Sequence, residues 1–317
     1  MNRIIVAEQL VDEIAGRLGA IGPEVELLGV DRRGRGVPLG GATAALRWDL
    51  DDEGLDYVLA QAPGLRWLHS PSAGVENWPV AELRQREIVL TNAAGVFAIP
   101  ISEWVLAAML MIAKRAHAMH DAQREHRWAN ELDLDELCDR TLLILGTGGI
   151  GREIAKRAAA FGMRIWGSSR SGAPVEHVER VMTGSAWHEL LPEADYVVST
   201  LPLTPETRGV FGATELRRMK PSAWLLNVGR GATVDEPALL AALHDGTIGG
   251  AAIDAWVEEP LPPDHPAWTT PNLIIWPHHS GSSPENTRRG LDLFADNVRR
   301  FVRGEELLNV VDLEAGY

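Results

Sequence analysis

TLLILGTGGIGREIAKRAAAFGMRIWGSSR, running from Thr141 to Arg170, is the stretch that decides the fold. Its opening residues form an apolar run short enough for a strand. Gly146, Gly148 and Gly151 follow as G-x-G-x-x-G, an amphipathic helical stretch comes next, and a second strand, RIWG, closes the unit. Each glycine answers a separate steric demand. The first makes the tight turn, the second lets a pyrophosphate approach the backbone, and the third lets the helix pack close to the strand. The helix start presents unbonded N–H groups and the positive end of its dipole, which suit a diphosphate. This context predicts a Rossmann-type dinucleotide site, with Gly146, Gly148, Gly149, Ile150 and Gly151 against the cofactor.

The end of the second strand bears on cofactor choice. An Asp or Glu there accepts hydrogen bonds from the ribose hydroxyls of NAD, but this chain has Ser168-Ser169-Arg170. Two hydroxyls and a guanidinium suit a 2′-phosphate, because Arg offers a bidentate charged contact. NADP(H) is the expected preference, with NAD(H) as the alternative.

Working outward, short apolar runs alternate with amphipathic stretches in both directions. Upstream strands are expected at Arg3–Ala7, Val25–Gly29, Ala44–Trp48, Trp67–Ser70 and Val89–Thr91, with helices such as Val11–Leu18 and Glu53–Ala60 between them. Downstream strands are expected at Arg164–Gly167, Tyr196–Thr200, Trp224–Val228, Gly250–Ile253 and Leu273–Trp276. Such alternation predicts parallel sheets with helices on both faces. Ile101–Ala118 reads as one long apolar helix, with Pro100 suited to its start. It is too apolar to lie alone on a surface and is expected to pack between domains or subunits. A last helix through Leu291–Arg303 is long enough to return to the first domain. The fold class is therefore α/β: two doubly wound parallel-sheet domains, the Rossmann-type cofactor domain (96–284) inserted in a flavodoxin-like substrate domain (1–95 and 285–317).

Composition narrows the classes. The chain has 317 residues, enough for two domains, and 45% of them are hydrophobic, an ordinary globular mix. The net charge of −14 argues against a surface built for nucleic acid or anionic lipid. No signal peptide and no apolar run of about 18 residues is read, so no membrane span is expected. Cys138 is the sole cysteine, which excludes an intramolecular disulfide and fits a reducing, cytoplasmic location. The residue pattern calls for no metal.

Three later segments carry polar residues just past apolar strands, where open parallel sheets bind ligands: NVGRG at Asn227–Gly231, AAIDAWVEEP at Ala251–Pro260 and IIWPHHSG at Ile274–Gly281. With the glycine turn and LPLTPET at Leu201–Thr207, their order and spacing over nearly the whole chain resemble the D-isomer-specific 2-hydroxyacid dehydrogenases. Within that family the chain looks most like the NADPH-linked glyoxylate/hydroxypyruvate or 2-ketoacid reductases. The resemblance implies a catalytic set of Arg230, Glu259 and His278, and further cofactor contacts at Thr200, Leu201, Pro202, Thr207, Val228, Gly229, Asp254, His278 and Gly281. Asp254 is the position of an acid behind the cofactor. Glu258 and His279 are the neighbours with which Glu259 and His278 could be confused.

The residue types fit hydride transfer to C2 of a 2-oxo acid. A planar guanidinium holds carboxylate and carbonyl oxygens in one fork, so Arg230 would orient the substrate and stabilise negative charge growing on the carbonyl. His278 would hand over the proton, and a carboxylate beside it would orient the ring. In the first domain, Ser72-Ala73-Gly74 resembles the family's carboxylate-binding loop, in which the Ala73 and Gly74 amides would share the anion with Arg230 from the opposite domain. Trp48, at the end of the third strand, is a candidate for the mouth of the substrate site. The expected activity is a D-isomer-specific 2-oxo acid reductase, assembled as a homodimer. Its rivals are an oxidising dehydrogenase of the same fold and a dinucleotide-sensing, corepressor-like binding protein. A formate dehydrogenase is disfavoured because Glu259 stands where those enzymes carry Gln. The short tail after Arg303 argues against the longer phosphoglycerate dehydrogenases.

Overall fold

The computed structural model describes residues 1–75 and 78–314, and its contacts divide the chain into two units. One is Met1–Phe97 with Ser283–Tyr317, the other Ala98–Ser282.

The first unit contains β1 (Asn2–Ala7), α1 (Val11–Leu18), β2 (Val25–Val30), β3 (Ala42–Leu46), α2 (Asp52–Gln61), β4 (Trp67–His69), α3 (Val80–Gln85) and β5 (Val89–Thr91). The second contains α4 (Ala98–Ala113), α5 (Ala116–Arg124), β6 (Thr141–Leu145), α6 (Gly149–Ala159), β7 (Arg164–Ser168), β8 (Arg180–Met182), β9 (Tyr196–Ser199), α7 (Ala213–Arg218), β10 (Trp224–Asn227), α8 (Glu236–His244), β11 (Gly250–Ile253) and β12 (Leu273–Ile275). The chain then re-enters the first unit as α9 (Asn286–Arg303).

Among the described residues, the first unit has a parallel sheet in the order β2-β1-β3-β4-β5. Side chains alternate across a strand, so β1 sends Ile5 to a core with Leu55, Val58 and Leu83, and Ile4 and Val6 to a second core with Ile14, Phe294 and Val298. The second face is covered by α1 and α9. The Asp51 side chain caps α2 by accepting from the Gly54 N–H at 2.8 Å. The last helix stops at Gly304, whose φ of 69° favours glycine.

The second unit has a parallel sheet in the order β12-β11-β10-β9-β6-β7-β8. Every residue of β6 is buried, as a parallel strand covered on both faces requires. Strand order reverses between β6 and β9, which opens a crevice at the carboxyl edge where such sheets bind ligands. Among the described residues no helix is long and apolar enough to cross a membrane.

The structure corrects several expectations. Ile101–Ala118 is not one helix: α4 ends at Ala113, Arg115 takes a φ of 49°, and α5 begins at Ala116. Along α4 the apolar residues Ile99, Leu110 and Met111 stay half-buried and Ala107 exposed. The helix packs along α6, and Ile101, Trp104, Val105, Leu106, Ala108, Met109 and Ile112 are all buried. Pro100 does lie in the first turn, although α4 begins at Ala98, before the expected Ile101. Strand β8 has no counterpart among the expected strands, because its residues, Arg-Val-Met, are exposed or half-buried and form no apolar run. The ends of four expected strands, Trp48, Ser70, Thr200 and Val228, lie beyond the strands, and so does Trp276.

Candidate active site

The glycine turn lies between β6 and α6. Gly146 has a φ of 97°, and a β-carbon there would stand 2.6 Å from Thr200 Oγ1. A β-carbon on Gly151 would stand 2.2 Å from the Gly146 carbonyl oxygen, so no side chain fits between turn and helix. Around Gly148 nothing lies within 4 Å of that position. The first and third glycines are thus filled by protein and the second faces open space, at the N-terminus of a helix with no acid in its first turn. This arrangement fits a dinucleotide pyrophosphate.

At the end of β7 the two serines differ. Ser168 is buried, whereas Ser169 is half-buried, its hydroxyl accepting from the Gly172 N–H at 3.1 Å. Arg170 is exposed. Thr200 donates its hydroxyl to the Gly146 carbonyl at 2.7 Å, and Thr207 donates its own to the Pro202 carbonyl at 2.6 Å. Leu201 is half-buried and Val228 buried, and a β-carbon on Gly229 would lie 2.5 Å from the Leu201 carbonyl oxygen. The loops after β9 and β10 are therefore packed backbone against backbone.

Arg230 stands in the loop after β10, which is held by its neighbours. Its carbonyl accepts from Asn227 Nδ2 at 3.0 Å and from the Thr233 hydroxyl at 2.7 Å, and its guanidinium donates to the Gly229 carbonyl at 3.1 Å. The next residue, Gly231, abuts the backbone of Trp256, where a β-carbon would be 2.1 Å from the carbonyl carbon. This contact ties the arginine loop to the loop after β11. There the Trp256 N–H donates to Glu259 Oε1 at 2.8 Å.

Glu259 and His278 meet directly. The imidazole Nδ1 lies 2.8 Å from one carboxylate oxygen and 3.1 Å from the other. Among the described residues Nε2 has no partner, so it is the ring nitrogen available to a reacting group. Glu258 and His279 make no such pair; the His279 backbone N–H instead donates to Asp254 Oδ1 at 2.8 Å. The structure thus joins Glu259 to His278 and sets Arg230 on the adjoining loop, at the carboxyl edges of three neighbouring strands. Asp254, by contrast, is buried, with its carboxylate bonded to the backbone of His279 and Ser280 and to the Ser280 hydroxyl. Gly281 follows this cluster and is half-buried.

Ala73, Gly74 and Trp48 belong to the other unit. In the Ser70–Gly74 loop, the Ala73 carbonyl accepts from Asn92 Nδ2 at 2.8 Å and the Gly74 carbonyl from the Ser72 hydroxyl at 2.9 Å. Among the described residues neither the Ala73 nor the Gly74 N–H donates to anything. With carbonyls tied down and amides spare, the turn suits a carboxylate without a formal positive charge. Glu76 and Asn77 of the same sequence stretch lie outside the described residues. Trp48 is half-buried two residues past β3, its ring 3.1 Å from where a β-carbon of Gly290 would stand. It packs on the core that α9 covers.

His69, at the end of β4, belongs to none of the sequence motifs. It is buried, its Nδ1 sharing a 2.6 Å hydrogen bond with Thr91 Oγ1 and its Nε2 without a partner. Burial lowers its pKa to about 4. Asn92 is likewise invisible in the sequence, belonging to no pattern that marks a role, and Ser280 lies within IIWPHHSG without a residue type that marks it.

The chain is similar to known proteins along most of its length. Residues 106–280 match the family described as D-isomer specific 2-hydroxyacid dehydrogenase, NAD binding domain. The glyoxylate/hydroxypyruvate reductase B of Pectobacterium carotovorum subsp. carotovorum is 37% identical over 264 residues, covering 80% of this chain and 81% of that protein. Among solved structures, a D-isomer specific 2-hydroxyacid dehydrogenase family protein from Aeromonas salmonicida subsp. salmonicida is 34% identical, with a TM-score of 0.83 over 98% of this chain and 99% of that one. The NADPH-dependent glyoxylate/hydroxypyruvate reductase of Sinorhizobium meliloti, in complex with NADP and sulfate, is 28% identical with a TM-score of 0.83 over 100% of both chains.

Proposed function

The chain belongs to the D-isomer-specific 2-hydroxyacid dehydrogenase family, oxidoreductases on CH–OH donors, and on that premise we propose that it reduces a small 2-oxo acid of the glyoxylate/hydroxypyruvate kind to the D-2-hydroxy acid, with NADP(H) preferred over NAD(H). The observation that carries this reading is the 2.8 Å contact of His278 Nδ1 with Glu259, on the loop that abuts Gly231.

When bound, the nicotinamide supplies the hydride that C2 accepts. Gly146, Gly148, Gly149, Ile150 and Gly151 hold the pyrophosphate, and Thr200, Leu201, Pro202, Thr207, Val228, Gly229 and Gly281 line the rest of the cofactor's path. Ser169 and Arg170 take the 2′-phosphate. Ser168, 7% exposed at the end of β7, adds a second hydroxyl. Arg230 holds the substrate's oxygens and stabilises charge on the carbonyl. His278 gives a proton from Nε2 to that oxygen in reduction and takes one back in oxidation, while Glu259 fixes the ring through Nδ1. The Ala73 and Gly74 amides bind a carboxylate oxygen. Trp48, half-buried just past β3, restricts substrate size at the mouth of the site.

A screen of 2-oxo acids of graded size, followed by NADPH oxidation with NADH in parallel, tests the proposal. Turnover of glyoxylate or hydroxypyruvate, faster with NADPH, is expected; cofactor binding without turnover of any 2-oxo acid points instead to a sensor. A homodimer in the cytoplasm completes the proposal. A monomeric mass by sedimentation at micromolar concentration rejects the dimer, and recovery from another compartment on fractionation rejects the location.

A further inference from the structure

We infer that Ser280 and Asp254 form a positioning pair that holds His278 in working geometry. The inference rests on His278 being the proton donor proposed above.

Three observations converge. His278 adopts a φ of 50°, the left-handed region that costs a non-glycine residue energy and persists only where neighbours enforce it. The enforcement comes from Asp254: its carbonyl accepts from the His278 N–H at 2.8 Å, and its carboxylate accepts from the His279 N–H at 2.8 Å and the Ser280 N–H at 3.1 Å. The Ser280 hydroxyl donates to the same carboxylate. Asp254 is 1% exposed and Ser280 5% exposed, so these bonds are made away from water, where an unsatisfied carboxylate oxygen is costly.

The two backbone donors would survive almost any substitution at position 280. The hydroxyl, the side-chain donor to the Asp254 carboxylate, would not. Without it, Oδ2 is left with the Ser280 N–H, the turn loses a restraint, and the imidazole drifts from Glu259. Neither residue touches a reacting atom; both act through where His278 stands.

The test compares Ser280→Ala, Asp254→Asn and the double variant. Ser280→Ala should lower kcat about tenfold while leaving KM for the 2-oxo acid and for NADPH within twofold, with Tm falling by a few degrees at most and the protein fully folded at the assay temperature. Asp254→Asn should lower kcat at least as much, and the double variant should be no worse than Asp254→Asn, because the two groups work as one. A second readout uses the protein without cofactor or substrate. A downfield Nδ1 proton resonance, assigned by its absence in His278→Gln, should weaken or shift in Ser280→Ala. Wild-type kcat and an unmoved resonance in Ser280→Ala overturn the pairing. So does a loss of kcat wholly explained by a smaller folded fraction at the assay temperature, or additive effects in the double variant. Should His278→Gln turn over normally, the proton-donor role falls, and the resonance alone still decides whether Ser280 positions the ring.

Discussion

Two histidines stand near the carboxyl ends of parallel strands, one in each unit, and their surroundings set them apart. His69 ends β4 and is buried between Trp67 and Phe294, with one nitrogen on Thr91 and the other without a partner. His278 lies past β12, about half exposed, with Nδ1 on a carboxylate. Burial without a counter-charge makes a histidine a neutral packing group. A partner carboxylate on one nitrogen and access at the other suit it to the proton-carrying role proposed for His278. The units repeat this contrast. Unit 2 gathers charged side chains onto interlocked loops, while the Ser70–Gly74 turn of unit 1 offers backbone amides alone. Holding an anion needs only donors, whereas moving a proton needs a titratable group with a fixed neighbour.

The contrast can be broken most sharply at the unit 2 loops. His278→Ala or Arg230→Ala should cut kcat/KM by about a hundredfold or more, on the order of 3 kcal/mol, with Tm unchanged. Wild-type turnover in His278→Ala would remove the basis for calling that histidine the active one, and in Arg230→Ala the basis for the substrate fork.

A smaller effect, on stability, is expected from His69. Its folded pKa of about 4 is below the value of about 6.5 for an unfolded histidine, so between those values the unfolded chain binds a proton that the folded chain refuses. Stability from this group is complete above pH 6.5 and lost as pH falls toward 4. From pH 7.5 to 5 the loss should be about 2 kcal/mol, read as a drop in urea midpoint. His69→Phe should remove that part of the pH dependence; an equal drop in both proteins would mean that His69 titrates normally.

Below that, Ala73→Pro, which deletes one spare amide, should raise KM for the 2-oxo acid about tenfold with kcat little changed, the worth of one charge-assisted hydrogen bond. An unchanged KM would show that the unit 1 turn does not hold the anion. The smallest change expected is in cofactor preference. Ser169→Asp with Arg170→Leu should move the ratio of NADPH to NADH efficiency severalfold toward NADH, and steady-state rates with each cofactor would reveal a ratio that stays put.

Much of the fold is legible in the order of residues. Alternating apolar runs identify parallel sheets because burial on both faces leaves continuous hydrophobic strands, as in β6. The glycine turn is legible because each glycine meets a local steric demand, visible in space as the 2.6 Å and 2.2 Å approaches at Gly146 and Gly151. Strand β8 is not, since a half-exposed edge strand shows no apolar signature, nor is the break at Arg115, because the helical pattern continues on both sides of it.

The amino-acid sequence by itself determined which groups exist and which strand end each one follows: Arg230 after β10, Glu259 after β11, His278 after β12. Motif register already favours Glu259 and His278 over Glu258 and His279; the tertiary structure alone decided which side chains touch. It set His278 against Glu259, sent the Asp254 carboxylate back into the protein, and left His69 neutral in the core. Those choices depend on backbone angles and on partners distant in sequence, 26 residues apart for Asp254 with Ser280, and no local pattern records which distant donor a buried oxygen will meet.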